Sequence, residues 1–220
     1  MTQLLGTAAR LEVEFELPWP WGGELFRLGD VRALNYIVGP LGSGKTRLAL
    51  RIAETLPSAA FLGLERLEGG DAAAQLDADT ALKSRVEQAL AWLADDGVTV
   101  SDALIALLAG LENQGPAVLV VDMVEQGLDS ATQQAVIARL RRRGPDARPL
   151  FLLTRSCAIL DLAAVGSHES IIFCPANHSP PSRVAPWPGA PGYEAVATCL
   201  ASPEVRARTQ GVIAWRPQMA

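Results

Sequence analysis

With 220 residues, 49% hydrophobic and 20% charged, the chain has the composition of one soluble globular domain, or one with a small subdomain, and not of a disordered protein. Its net charge of -5 excludes a general attraction to nucleic acid or anionic membrane and leaves only local basic patches. Cys157, Cys174 and Cys199 are odd in number and without CxxC spacing, and His168 and His178 are the only histidines, which argues against a disulfide framework, a zinc site or a histidine-rich metal centre.

The N-terminal residues lack the long apolar core of a signal peptide. The longest apolar stretches, around Leu104–Leu111 and Ala117–Val121, fall well short of the roughly 20 residues that span a bilayer. No membrane span is expected, and a cytoplasmic location is. Leu11–Leu17 alternates apolar with acidic residues, as a half-exposed strand does. A turn follows at Pro18–Gly23, then a returning strand at Glu24–Leu28. Arg32–Val38 reads as a buried strand, Arg47–Leu56 as a helix stopped by Pro57, and Ala59–Leu64 as a short strand.

Leu82, Val86, Leu90 and Leu93 form a helical stripe within Asp71–Asp96, and Ser101 is placed to cap a second apolar helix. Ala117–Asp122 is an apolar strand ending in an acid, Ser130–Arg143 a helix, and Pro149–Thr154 another buried strand. This alternation predicts an α/β fold with a mainly parallel sheet, an N-terminal antiparallel strand pair and a small helical insert at about residues 66–115. The main unit is expected to span residues 1–174. Residues 175–220 begin with a proline-rich stretch to Pro191 and form an extension on the same domain. Within it Tyr193–Leu200 and Pro203–Thr209 read as short helices and Gly211–Trp215 as a last strand.

Gly39-Pro40-Leu41-Gly42-Ser43-Gly44-Lys45-Thr46 matches GxxxxGK[ST] at every fixed position, between a buried strand and a helix as the motif requires. Glycines let successive backbone N–H groups curl round phosphate oxygens, and the helix presents its positive end. Lys45 is expected to reach the β and γ phosphates and Thr46 to ligate Mg²⁺. Asp122, at the end of an apolar strand, is the expected second magnesium partner, with a plain N-cap as the alternative.

From Val118 to Asp129 the sequence VLVVDMVEQGLD resembles the stretch of ABC-type ATPases in which an apolar strand, an Asp, a catalytic Glu and the D-loop follow one another. Leu150–Ser156 falls where that family has a strand ending in its switch histidine, and the opening strands also resemble the RecF/SMC-like ATPases. By that resemblance Gly127-Leu128-Asp129 is the D-loop, Trp21 stacks on adenine (with a turn tryptophan packed on the sheet edge as the alternative), Ser101 stands where the signature serine does, and Arg155 takes the place of the switch histidine. The resemblance further implies that Ser101 and Asp129 face a second subunit across ATP, so Asp129 is expected to contribute little to the fold of a monomer.

The departures are specific. Met123 occupies the position of the catalytic glutamate, and a thioether cannot polarise water. Ser101 is followed by Asp102 and Ala103 instead of the signature glycines, and Glu65 is the nearest polar residue where the family has glutamine. Glu125 is the candidate replacement base, two residues late, with a solvated loop acid as the alternative. Arg155 is read either as a γ-phosphate contact or as a surface ion-pair partner. Arg139, Arg141, Arg142, Arg143 and Arg148 are read as positive charge at a helix C-terminus; without interleaved aromatics, nucleic-acid binding is not supported.

The expected function is binding of Mg·ATP, with slow or partner-dependent hydrolysis and an ATP-dependent homodimer or another protein partner. A non-hydrolysing, nucleotide-gated module is the alternative. A small P-loop kinase is the third reading, for which Arg66 and Arg85 are too isolated to supply a lid.

Overall fold

A computed structural model describes residues 11–94 and 97–205. Strands β1 (Val13–Glu16) and β2 (Leu25–Leu28) pair antiparallel as a separate ribbon. Alternation sends Val13, Phe15, Phe26 and Leu28 inward, and Phe15 lies opposite Phe26 with ring centroids 5.3 Å apart.

The main sheet has six strands. They are β3 (Leu34–Val38), β4 (Ala59–Leu62), β5 (Val118–Val121), β6 (Leu150–Leu153), β7 (Glu169–Phe173) and β8 (Ser182–Val184), in the order β4-β5-β6-β3-β7-β8. All neighbours are parallel except β7 and β8. Strands β3, β5 and β6 are buried throughout, as parallel strands covered on both faces must be.

The side-chain period of two divides the core into halves. On one face Ile37, Val118, Val120, Phe151 and Leu153 pack with α1 (Lys45–Thr55) and the β1–β2 ribbon. On the other, Tyr36, Val38, Leu119, Val121 and Leu152 pack with helices α3 (Thr80–Ala94), α4 (Asp102–Glu112) and α5 (Ser130–Arg141). Short α2 (Asp71–Ala78) precedes α3, and α6 (Tyr193–Cys199) follows β8.

Three local differences from the sequence reading have clear causes. The helix expected over Asp71–Asp96 is broken at Asp79, whose backbone is extended (φ -123°, ψ 95°). Its Oδ1 accepts the Leu82 amide at 2.9 Å, so a short carboxylate ends one helix and caps the next. Strand β4 ends at Leu62 and gives way to a 3₁₀ turn at Leu64–Leu67. The proline-rich stretch holds β8, whose pairing to β7 uses only the residues between its prolines. Residues 203–205 are helical; the rest of the helix expected to Thr209, and the strand expected at Gly211–Trp215, lie outside the described residues.

Because β3, β5, β6 and β7 run parallel, the segments after Val38, Val121, Leu153 and Phe173 meet at one edge of the sheet. That edge carries the site.

Candidate nucleotide-binding site

Residues 39–44 leave the central strand and turn into α1. Gly44 is left-handed (φ 88°) and N-caps the helix. A Cβ there would lie 2.6 Å from Trp21 Cη2, so conformation and space both demand glycine. No acid stands in the first turn of α1, which leaves its positive end open to an anion. Ser43 is fully buried, and its Oγ has no hydrogen-bond partner among the described residues.

Lys45 Nζ folds back and donates to the Gly39 and Pro40 carbonyls at 2.8 and 2.7 Å. Burial pushes its pKa down; Cys174 opposes this, the positive charge of Arg155 adds to it, and Cys199 and Asp122 oppose it more weakly. Thr46 Oγ1 donates to Asp122 Oδ2 at 3.2 Å, joining α1 to the end of β5. Burial raises the Asp122 pKa, opposed by the Thr46 hydrogen bond and the charges of Arg66 and Lys45. A cation held at the end of the lysine and a carboxylate held beside a hydroxyl are both incompletely compensated. Phosphate oxygens suit the first and a hard divalent cation suits the second.

These groups open into a cavity of about 560 Å³, lined by Lys45, Thr46, Asp122, Met123, Arg155 and His178, with Trp19, Leu41 and Leu64 as its apolar wall. Arg155 lines it, as the reading of a γ-phosphate contact requires. Glu125 does not: it is 3% exposed, and its Oε1 accepts the Arg155 backbone amide at 2.9 Å. The candidate base is thus directed to the loop that carries Arg155, and its burial also overturns the alternative of a solvated loop acid. Trp21 is not in the cavity either. It is 5% exposed, packs under Gly44, and donates its indole N–H to the Ser179 carbonyl at 3.2 Å. The aromatic in the cavity is Trp19, 71% exposed, with the Arg47 guanidinium 4.9 Å from its ring centroid.

Two contributors escaped the sequence reading. Arg66 donates to the Asp122 and Met123 carbonyls, each at 2.8 Å, and so clamps the turn in which Met123 adopts a left-handed backbone (φ 45°). His178, on the proline-rich segment, places Nε2 3.0 Å from the Gly42 carbonyl; since a carbonyl only accepts, the ring nitrogen donates. Arg66 follows strand β4 and His178 follows β7. Only the sheet order brings Arg66 to the Asp122–Met123 turn and His178 to the glycine-rich loop.

Ser101 and Asp129 are occupied within the chain. Ser101 Oγ accepts the Leu104 amide at 3.2 Å as N-cap of α4, and Asp129 Oδ1 accepts the Thr132 amide at 2.8 Å as N-cap of α5. The expectation that Asp129 contributes little to the fold of a monomer is therefore corrected: α5 would lose its cap without it. The two helix starts are neighbours, because a Cβ on Gly127 would lie 2.7 Å from Ala103 Cβ. Glu65 accepts the Gly63 amide at 3.0 Å and stays outside the cavity.

A glycine-rich loop after the central strand, its threonine on an aspartate two strands away across β6, and an antiparallel ribbon over α1 define a P-loop NTPase fold of the ABC type. Solved structures agree with this assignment. One described as an inward-facing metal-chelate type ABC transporter matches with a TM-score of 0.56 at 13% identity, over 81% of this chain and 84% of that one. A protein described as a cobalt transport ATP-binding protein matches with a TM-score of 0.50 at 18% identity, over 80% and 78%. A bacterial Atm1-family ABC exporter solved with ATP bound gives a TM-score of 0.51 at 14% identity, and this chain spans 36% of its length. At such identities the likeness is one of fold. No protein-family model matches the sequence, and no curated protein does. No described helix is long and apolar enough to cross a membrane.

Proposed function

We propose that the chain binds Mg·ATP at residues 39–46 and that an isolated subunit turns it over slowly or not at all. The observation that carries this reading is the cavity itself. It combines the Lys45 cation, the Thr46–Asp122 pair and the start of α1 with Met123 directly after the aspartate. Among the described residues lining the cavity, Asp122 is the only carboxylate, and it is the one suited to the metal. Magnesium, when bound, would neutralise phosphate charge; Thr46 and Asp122 would hold it, with Lys45 on the phosphates and the base against Trp19 in place of Trp21. Glu125 acts as a positioning residue that fixes the Arg155 backbone, and Arg155 supplies positive charge toward the terminal phosphate. Completion of the site by a second copy or a protein partner remains part of this reading, with Ser101 and Asp129 at the facing helix starts.

Two variants test it. Lys45→Ala removes a charge-assisted contact and should weaken ATP binding by about 1.5–3 kcal/mol in calorimetry; a folded variant that binds ATP unchanged would take the loop out of the argument. Met123→Glu restores a carboxylate at the water position and should raise single-turnover hydrolysis by roughly 10²-fold. A flat rate with ATP still bound would mean that another group limits turnover.

A further inference from the structure

At the opposite edge of the sheet, before the starts of β5 and β6, lie two adjoining hollows of about 500 and 470 Å³. They share Glu112, Arg139 and Arg143. The basic run in the sequence does not converge here as written. Arg141 turns away to ion-pair with Glu169 at 3.0 Å, and Arg85 comes in from α3 instead. The lining guanidinium groups are then Arg85, Arg139, Arg142, Arg143 and Arg148, and the lining carboxylate is Glu112.

Helix-end compensation accounts for part of this charge. Arg85 Nε donates to the Glu112 carbonyl at 3.0 Å, Arg148 donates to the carbonyls of Leu111, Asn113 and Pro116, and Arg139 pairs with the Glu112 carboxylate at 2.9 Å. The end of α4 is worth about half a negative charge. Set against the five guanidinium groups, it and one carboxylate leave an excess of roughly three and a half positive charges on a chain whose net charge is -5. The cluster repels itself: burial and then the neighbouring charges of Arg148 and Arg139 push the Arg143 pKa down. An aromatic that the sequence run lacks is also present, since the exposed Arg142 guanidinium lies 5.1 Å from the Trp92 ring centroid.

We propose that this trough binds a nucleotide, with phosphates on Arg139 and Arg143 and the base stacked on the Arg142–Trp92 pair. Concave shape, guanidinium forks and a planar cation–aromatic stack together fit a phosphate joined to a base better than a carboxylate chain, which has no ring to stack. The nucleotide is either free or one residue of a single strand. This site is independent of the P-loop, which lies at the other edge of the sheet.

The probes are a fluorescein-labelled oligouridylate of about ten residues for the strand and mant-ADP for the free nucleotide, the latter with Lys45→Ala protein so that the P-loop contributes little. One of them should bind at about 50 mM salt, and for the strand log affinity should fall against log salt with a slope of about -1.4, as expected for two phosphate contacts. Arg142→Glu combined with Arg143→Ala should weaken that probe at least about tenfold. Arg142→Gln, at an exposed position, should weaken it severalfold and guards against misfolding of the double variant, with circular dichroism as the fold check. Strand binding without mant-ADP binding identifies a single strand, and the reverse identifies a free nucleotide. The proposal fails if neither probe binds, if the folded variants bind like the native chain, or if a labelled oligoglutamate binds as tightly as the better probe.

Discussion

Trp21 gives its ring to the underside of Gly44 and its N–H to Ser179, while Trp19, two positions earlier, keeps most of its ring in solvent beside Arg47. Their substitutions should therefore separate stability from affinity. Trp21→Ala should cost about 3–5 kcal/mol in urea unfolding, the usual loss for a buried tryptophan. Trp19→Ala should stay within about 0.5 kcal/mol of the native chain while weakening ATP by about 1 kcal/mol or more through the lost stack. Equal ATP affinity in the Trp19 variant would place the base elsewhere. Asp122 carries a second separation. Its raised pKa means that the folded state holds a proton more tightly than the unfolded chain, so ionisation destabilises the ligand-free protein above that pKa. Asp122→Asn should melt at a higher temperature at neutral pH and yet bind magnesium less well. In the native chain, magnesium-dependent binding should fade on acidification at a pH above the ordinary 3.8 of an aspartate, with protons released on metal uptake. Calorimetry in buffers of different ionisation enthalpy reads that release, and a magnesium response independent of pH would dismiss the role given to Asp122.

Among the helices, α5 shows how one residue serves two assignments. Asp129 belongs to the D-loop-like stretch, but it also caps α5 through the Thr132 amide, and this hydrogen bond is the first cause of its lowered pKa. Asp129→Ala should lower stability by about 1 kcal/mol, and Asp129→Asn, which keeps an acceptor, should lose much less. A lowered carboxylate pKa contributes stability that is present above the unfolded value of 3.8 and disappears as pH falls through the lower folded value. The difference between native and Asn chains in urea should therefore vanish in that acid window; a difference that persists below it would mean that the charge is not what holds the cap. Helices α1 and α4 were legible because their caps and apolar faces lie within a dozen residues of each other. Strand β7 and the short β8 were not, since each depends on a neighbour far away in sequence.

For the molecule as a whole, the property to test is association. Gly127 has no room for a Cβ against Ala103, so the D-loop-like turn and the start of α4 lie side by side at one corner. A second copy closing over ATP would meet that corner at Ser101 and Asp129. A weak, ATP-dependent homodimer is the expected result in sedimentation with ATP and magnesium, and Asp129→Asn is the variant to use because it spares the cap. A chain that stays monomeric at high concentration in both conditions, or an Asn variant that dimerises like the native chain, would reject this geometry.

Eight consecutive residues, Gly39–Thr46, were sufficient to read a phosphate loop, and the alternation of apolar strands with helices was sufficient to read an α/β fold, because both signals are local: turn, helix start and side-chain period are each written in neighbouring residues. What the tertiary structure decided are the contacts between distant segments. Which tryptophan meets the cavity depends on Ser179, 158 residues from Trp21. Glu125 is drawn to the Arg155 amide 30 residues on, Arg66 reaches Met123 across 57, and His178 reaches Gly42 across 136. Periodicity and spacing carry no information about which loops a sheet order places together, so burial, hydrogen-bond partners and the arginine trough became visible only once the strands were in register.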